Sequence, residues 1–208
     1  MLHSQYKKKI HHMIILVIAV LLSALLVRAG DYAYVDKVID GDTIRIKGGI
    51  KIRYIGVDSP EVGQPYYEEA KEFNRKIVEN KKVTLEFDLN KYDDHHRLLA
   101  YVYTPDGRCV NIEMIRNGYA YVYPHAFETR LVDKLLEAQR YAIDKNLGIF
   151  KSLLKDTASY YKASRKGMRF HRPDCAWVQN IGQKNLVIFH SRKEAFQQGY
   201  SPCRRCNP

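Results

Sequence analysis

Residues 32–57 read YAYVDKVIDGDTIRIKGGIKIRYIGV, three short runs rich in β-branched and aromatic residues, divided by two turn signals. Tyr32–Ile39, Thr43–Ile46 and Ile50–Val57 have the composition of strands, and Asp40-Gly41-Asp42 and Gly48-Gly49 supply tight turns between them. The pattern predicts a three-stranded meander. In a meander the start of the second strand and the end of the third share an edge, so Asp42 and Asp58 can face one ion. Carboxylates and a backbone carbonyl are the ligands a hard cation prefers.

Outward from this stretch, Tyr66 to Asn80 is rich in Glu, Lys and Ala, with Ala70, Phe73 and Ile77 at helical spacing. Val83–Leu89 and Leu98–Tyr103 restore the strand pattern, and the second ends at the turn Thr104-Pro105-Asp106-Gly107. Asn111–Asn117 before Gly118 and Glu128–Asn146 before Gly148 read as helices with glycine stops. Three strands, a helix, two strands and further helices make an α+β order compatible with a five-stranded barrel of the OB type. After Phe150 the composition shifts to Lys, Ser and Tyr. The predicted organisation is a leader over 1–29, a barrel domain over 30–152, a linker over 153–166 and a small module over 167–208.

A chain of 208 residues with 46% hydrophobic content has enough apolar material for a packed core, which argues against disorder. The net charge of +11 is unevenly placed: +4 in residues 1–30, −1 in 31–159 and +8 in 160–208. A basic tail suits a polyanionic partner, with phosphate the commonest. At the other end, Lys7–Lys9 precede an apolar run from Met13 to Val27, followed by the small-residue pattern Val27-Arg28-Ala29. Fifteen residues at about 1.5 Å each cover roughly 22 Å, short of the ~30 Å hydrocarbon core. The reading is a signal peptide, with an uncleaved membrane anchor as the alternative. Either places the working domains outside the cytoplasm, as an exported protein.

Taken alone, Asp-Gly at a turn is usually only a turn, and Asp58-Ser59-Pro60-Glu61 could be a helix entry capped by Ser59. The arginines shift the balance. Arg53 lies five residues before Asp58, and Arg97 starts the last barrel strand. Phosphodiester hydrolysis needs cationic groups where oxygen charge grows and a carboxylate to orient or deprotonate water. Both sets are present.

Three segments in order, Val38-Ile39-Asp40-Gly41-Asp42-Thr43, Arg53-Tyr54-Ile55-Gly56-Val57-Asp58-Ser59-Pro60-Glu61 and Arg97-Leu98-Leu99-Ala100-Tyr101-Val102, resemble the staphylococcal nuclease, or thermonuclease, family over residues 31–150. The resemblance implies a Ca²⁺-dependent hydrolase of DNA and RNA on an OB barrel with three helices. It implies that Asp42, Asp58 and the carbonyl of Ser59 hold the ion. Glu61 would be the base or position the water, and Arg53 and Arg97 would grip the scissile phosphate. Asp40 would support the metal site from behind. Tyr121 and Tyr123 match tyrosines beside the nucleotide, and stacking on aromatic rings favours a single strand. The sequence departs from the family at Asp94-His95-His96, where a Tyr-Gly turn is common. There the histidines are solvated, or serve as donors or stray metal ligands. A monomer is expected. The rival reading is a binding module on the same fold, which would have lost several of Asp42, Asp58, Glu61, Arg53 and Arg97.

The tail carries His171, Cys175, Cys203 and Cys206 in the spacing His-x₃-Cys…Cys-x₂-Cys, a set that can close a tetrahedral Zn²⁺ site. A module of about 40 residues needs such a staple. Disulfides are the competing reading in an oxidising compartment, but they leave a cysteine unpaired unless Cys109 joins. Leu186–Phe189 reads as a strand and Ser191-Arg-Lys-Glu194 as a capping box before a short helix ended by Gly199. Phe170-His-Arg-Pro-Asp-Cys175 and Glu194 to Cys206 resemble the zinc-binding domain of the Ada DNA-repair methyltransferase. His171 stands where that family has its methyl-accepting cysteine, so methyl transfer is not expected and the zinc is structural. Arg204 and Arg205 lie where a phosphate backbone could be contacted.

Overall fold

Alternating apolar residues along the first three strands have only one way to leave water together, which is to line the inside of a curled sheet. A computed structural model describes residues 31–93, 95, 97–123 and 129–208. In it β1 (Asp31–Val38), β2 (Thr43–Ile46) and β3 (Lys51–Tyr54) form the antiparallel meander, with Val38 opposite Ile44 and Thr43 opposite Arg53. Val35, Val38, Ile44 and Ile52 are buried in its core.

The run read as one strand to Val57 is broken. Gly56 turns at φ 75°, so β3 stops at Tyr54 and the two-residue β4 (Val57–Asp58) leaves the barrel. Asn111 secures the break, its amide donating to the carbonyls of Ile55 (2.9 Å) and Ala100 (3.2 Å). Next come α1 (Tyr67–Val78), β5 (Lys82–Glu86) and β6 (Leu98–Tyr103). β6 runs parallel to β3 and antiparallel to β5, closing a five-stranded barrel in the order β1-β2-β3-β6-β5. Backbone bonds between Val35 and both Asn80 and Lys81 complete the ring. β5 is shorter than its sequence pattern because Leu89 lies in solvent, 93% exposed, with no core to join.

α2 (Val110–Arg116) and α3 (Val132–Asp144) complete three helices around the barrel. The short β7 (Tyr121–Val122) pairs with β4, placing Tyr121 opposite Asp58. Ser59 and Pro60 do not open a helix, since α1 begins only at Tyr67. A single turn, α4 (Phe150–Leu153), leads into the module.

The module is a four-stranded sheet of β8 (Tyr161–Ser164), β9 (Arg169–His171), β10 (Leu186–Phe189) and β11 (Ser201–Pro202), in the order β10-β8-β9-β11. Helix α5 (Arg192–Gln197) has its N-cap at Ser191, whose hydroxyl accepts from the Glu194 amide at 3.0 Å. The Glu194 carboxylate returns to the amide of His190 rather than that of Ser191, one residue earlier than a capping box requires.

The stretch 153–166 is not a free linker. Its Tyr161–Ser164 is a strand of the sheet, the Tyr161 hydroxyl accepts from the Thr157 amide at 2.7 Å, and Arg192 donates to the Lys155 carbonyl at 2.7 Å. Lys- and Ser-rich composition hid these anchors.

Barrel domain and module share a core. Ala142 and Ile143 of α3, with Ile149 and Phe150, pack with Tyr161, Phe170, Phe189 and Phe196. The rings of Phe150 and Phe196 meet edge to face with centroids 5.6 Å apart. Full burial of such side chains contributes about 1.5–3 kcal/mol each, more than a typical exposed ion pair. Buried Gln139 fixes the register: its oxygen accepts from the Val122 amide at 2.7 Å and its nitrogen donates to the Phe196 carbonyl at 2.6 Å. Residues 32–208 accordingly form one compact unit. The leader read at 1–29 lies outside the described residues. Among the described residues, no helix is long and apolar enough to cross a membrane.

Candidate active site and metal centre

The turn between β1 and β2 is built by its own side chains. The Asp40 carboxylate accepts from the Asp42 amide at 3.0 Å, and Asn74 of α1 donates to the Asp40 carbonyl at 2.9 Å. Burial pushes the Asp40 carboxyl up, against the lowering charge of Arg53. Gly41 is required by close approach, because a Cβ there would lie 2.6 Å from the Ser59 Cβ and 3.0 Å from the Ala70 Cβ. Gly41→Ala is expected to cost about 1–3 kcal/mol by overpacking, read as a lower thermal midpoint. An unchanged midpoint would show that the Ser59 turn yields freely.

Asp42 and Asp58 come together as the meander predicts. Both are buried, at 4% and 1% exposure. The Ser59 amide donates to Asp42 Oδ2 at 2.8 Å, locking the end of β4 beside the start of β2. Arg53 bridges the pair: its guanidinium contacts Asp42 Oδ1 and lies 3.2 Å from Asp58 Oδ1, while also donating to the Val57 carbonyl at 3.1 Å. Burial pushes the Arg53 guanidinium pKa down, while the charge of Asp58 opposes that and the charge of Arg97 adds to it.

Asp58 Oδ2 is buried and has no hydrogen-bond partner among the described residues. A buried carboxylate oxygen left unpaired costs free energy that a cation would recover. Two adjacent buried carboxylates with one orphaned oxygen are a donor set that fits a hard divalent ion. Glu61 stands at the rim, 63% exposed, its amide bonded to Gln64 Oε1 at 2.9 Å.

Arg97 lies in a cleft of about 670 Å³ that it shares with Arg53, Tyr92, His95, Tyr123 and Arg204. Its Nε sits 2.6 Å from Asp93 Oδ2. Burial raises the Asp93 carboxyl, but the Arg97 amide and guanidinium outweigh it and hold the group below its ordinary value. His95 is exposed, with its amide on Asp93 Oδ1. Asp94 and His96 lie outside the described residues.

The two tyrosines divide. Tyr123 lines the cleft with the Arg53 guanidinium 6.0 Å and the Arg169 guanidinium 5.9 Å from its ring centroid. Tyr121 instead packs on Phe196, centroids 5.8 Å apart, and burial followed by the charge of Asp58 pushes its phenol up. The stacking role expected of Tyr121 is corrected accordingly: its ring serves the contact with the module, and its hydroxyl faces Asp58.

In the module, the ligand atoms of His171, Cys175, Cys203 and Cys206 all lie within 4.8 Å of one another. Tetrahedral ligands at zinc–sulfur distances of about 2.3 Å stand roughly 3.8 Å apart, so the cluster needs little contraction to close on one ion. Burial, helped by the neighbouring thiols, pushes the Cys206 thiol up to about 12, and a divalent cation bound there would favour the thiolate instead. Burial also lowers the His171 imidazole, keeping it neutral and ligand-competent. Cys109 is absent from this group. It caps the start of α2 within the barrel domain, which removes the disulfide partner the alternative reading required.

Arg204, between two of these sulfurs, does not face outward with Arg205. Its Nη2 lies 2.7 Å from Asp58 Oδ1 and 3.5 Å from Glu61 Oε1. Gln139, Arg169 and Arg204 are the contributors to the site that motif reading missed or misplaced. Glutamine within a helical pattern carries no signal, and the basic tail gave charge without direction.

The barrel, the acidic pair and its arginines define a nuclease-type phosphodiester site, and the chain belongs to the staphylococcal nuclease family. A family model described as a staphylococcal nuclease homologue matches residues 51–152, and one described as the metal binding domain of Ada matches 155–208. The thermonuclease of Staphylococcus intermedius is 37% identical over 133 residues, covering 59% of this chain and 77% of that protein. Endonuclease YncB of Bacillus subtilis (strain 168) is 40% identical over 122 residues, or 53% of this chain and 57% of that protein. The SPbeta prophage-derived endonuclease YokF of the same organism is 35% identical over 126 residues, covering 55% and 42%. The chain thus spans about half the length of the two Bacillus relatives.

Proposed function

We propose that this protein is an exported Ca²⁺-dependent nuclease that hydrolyses phosphodiester bonds of DNA and RNA, with the zinc module aiding nucleic-acid binding. The observation that carries the reading is the buried Asp42–Asp58 pair, bridged by Arg53, with an Asp58 oxygen that has no partner among the described residues. Bound there, Ca²⁺ would supply positive charge to a phosphate oxygen. The remaining work falls to the chain. Arg53, held rigidly between two carboxylates, and Arg97, across the cleft, present guanidinium groups to the phosphate as charge grows on its oxygens. Glu61, on the solvent side, orients the attacking water and accepts its proton as oxygen bonds to phosphorus and the ester bond breaks.

The aromatic ring of Tyr123 in the wall of the cleft favours an unpaired base, hence single-stranded substrate. Net charge of −1 over residues 31–159 against +8 in the tail supports the module as the main electrostatic attraction for the polyanion. The lysine-led apolar run at 7–27 supports export. Retention of all five of Asp42, Asp58, Glu61, Arg53 and Arg97 disfavours a binding-only module.

The test is cleavage of single-stranded DNA at saturating Ca²⁺ by Glu61→Gln and Arg97→Ala. Each is expected to lose about 10²–10⁴-fold in rate. Cleavage near the wild-type rate in both would overturn the assignment.

A further inference from the structure

The zinc knuckle Cys203-Arg204-Arg205-Cys206 abuts the acidic edge of the barrel, and one of its two arginines turns inward. Arg204 reaches Asp58 and Glu61 and lines the same cleft as Arg53, Arg97 and Tyr123. Its position is set from two sides. On one, the flanking residues Cys203 and Cys206 belong to the four-ligand cluster, so a metal ion there fixes the chain at both ends of a two-residue loop. On the other, the Phe150–Phe196 contact and the Gln139 bridge dock the module against α3 and β7.

The two guanidinium groups on Asp58 differ in freedom. The Arg53 side chain is 11% exposed and bonded to a backbone carbonyl, so it stays in place. Arg204 is 55% exposed and, among the described residues, its tip is held by the carboxylates of Asp58 and Glu61. A cation that takes up the negative charge of Asp58 removes the main attraction on Arg204. The loop then leaves its guanidinium at the rim, beside Glu61. A planar fork of donors on a rigid loop, beside two other arginines, matches the tetrahedral oxygens of a phosphodiester.

We propose that Arg204 is a third active-site arginine, delivered across the module boundary by the zinc knuckle, and that it binds the scissile phosphodiester of the substrate. The inference rests on the nuclease reading above and deepens it. The module's zinc then shapes the reaction centre as well as holding its own fold.

The experiment uses the full zinc-loaded chain, with Arg204→Ala, Arg204→Lys and, as a control for lost charge, Lys145→Ala, an exposed position on the barrel domain. Cleavage of single-stranded DNA at saturating Ca²⁺ is measured beside the anisotropy of a labelled eight-nucleotide phosphorothioate oligomer in Ca²⁺. The expected result is a fall of about 10- to 100-fold in kcat/KM for Arg204→Ala, with most of the loss in kcat. Oligomer affinity should fall about fivefold or more, Arg204→Lys should recover part of both, and Lys145→Ala should stay within about twofold. An Arg204→Ala rate equal to wild type would overturn the proposal. A faster rate would overturn it too, showing that the guanidinium plugs the cation site. If the wild type cleaves nothing yet binds the oligomer in an Arg204-dependent way, the hydrolytic reading fails while the phosphate contact stands. Arg204-independent binding by an inactive wild type would sink both.

Discussion

Arg53→Lys is expected to lower phosphodiester cleavage at saturating Ca²⁺ by about 10²–10³-fold, although the substitution keeps the charge. Arg53 makes three polar contacts from one plane, to Asp42, Asp58 and the Val57 carbonyl, and its side chain is 11% exposed. A lysine ammonium is a compact point charge that cannot span both carboxylates in fixed directions. It would satisfy one and leave the other to draw the second charge away from the phosphate. The loss should fall on kcat, because the donor geometry matters most where oxygen charge develops. Cleavage within tenfold of wild type would mean that Arg53 serves as a structural counter-charge alone.

Cys203→Ala is expected to remove bound zinc and to lower the thermal midpoint of the whole chain by roughly 10 °C. A structural zinc site contributes about 10–16 kcal/mol of binding free energy to the folding of its module, and a three-ligand remnant keeps only part of that. The effect reaches beyond the module because Phe196 and Phe170 pack in one cluster with Ile143, Ile149 and Phe150. Losing about 3–5 kcal/mol of that packing corresponds to the stated shift at roughly 2–4 °C per kcal/mol for a chain of this size. Calorimetry with metal analysis checks it. A variant that loses zinc yet melts at the wild-type midpoint, in a separate later transition, would show that the module only hangs on the barrel domain.

Both results depend on contacts of different legibility. The meander was readable because its side-chain period and its turn residues agree, and that agreement alone places Asp42 near Asp58. The four tail ligands were readable from spacing, since few other uses explain His-x₃-Cys with a distant Cys-x₂-Cys. What escaped was polar and local in origin but long-range in effect. Asn74, Asn111 and Gln139 are buried amides that tie the Asp40 turn, the break after Tyr54 and the docking of α5. A buried amide in a helix has the same letter as a solvated one, and only the opposing surface distinguishes them. Tyr121 and Arg204 were assigned to nucleic acid by motif register and charge. Their actual neighbours, Phe196 and Asp58, lie 75 and 146 positions away, beyond any pattern in a local window. The aromatic run at 119–123 could not show which ring faces the cleft.

The +8 tail thereby gains a direction as well as a charge: it meets the barrel at the carboxylates, not on a remote face. The measurement that bears most directly on this account is digestion of single-stranded DNA by the full zinc-loaded chain in Ca²⁺, in Mg²⁺, and in Ca²⁺ followed by a chelator selective for calcium over zinc. Cleavage in Ca²⁺ that stops on calcium chelation and is far slower in Mg²⁺ is the predicted result. Cleavage that persists undiminished after calcium is removed would contradict it.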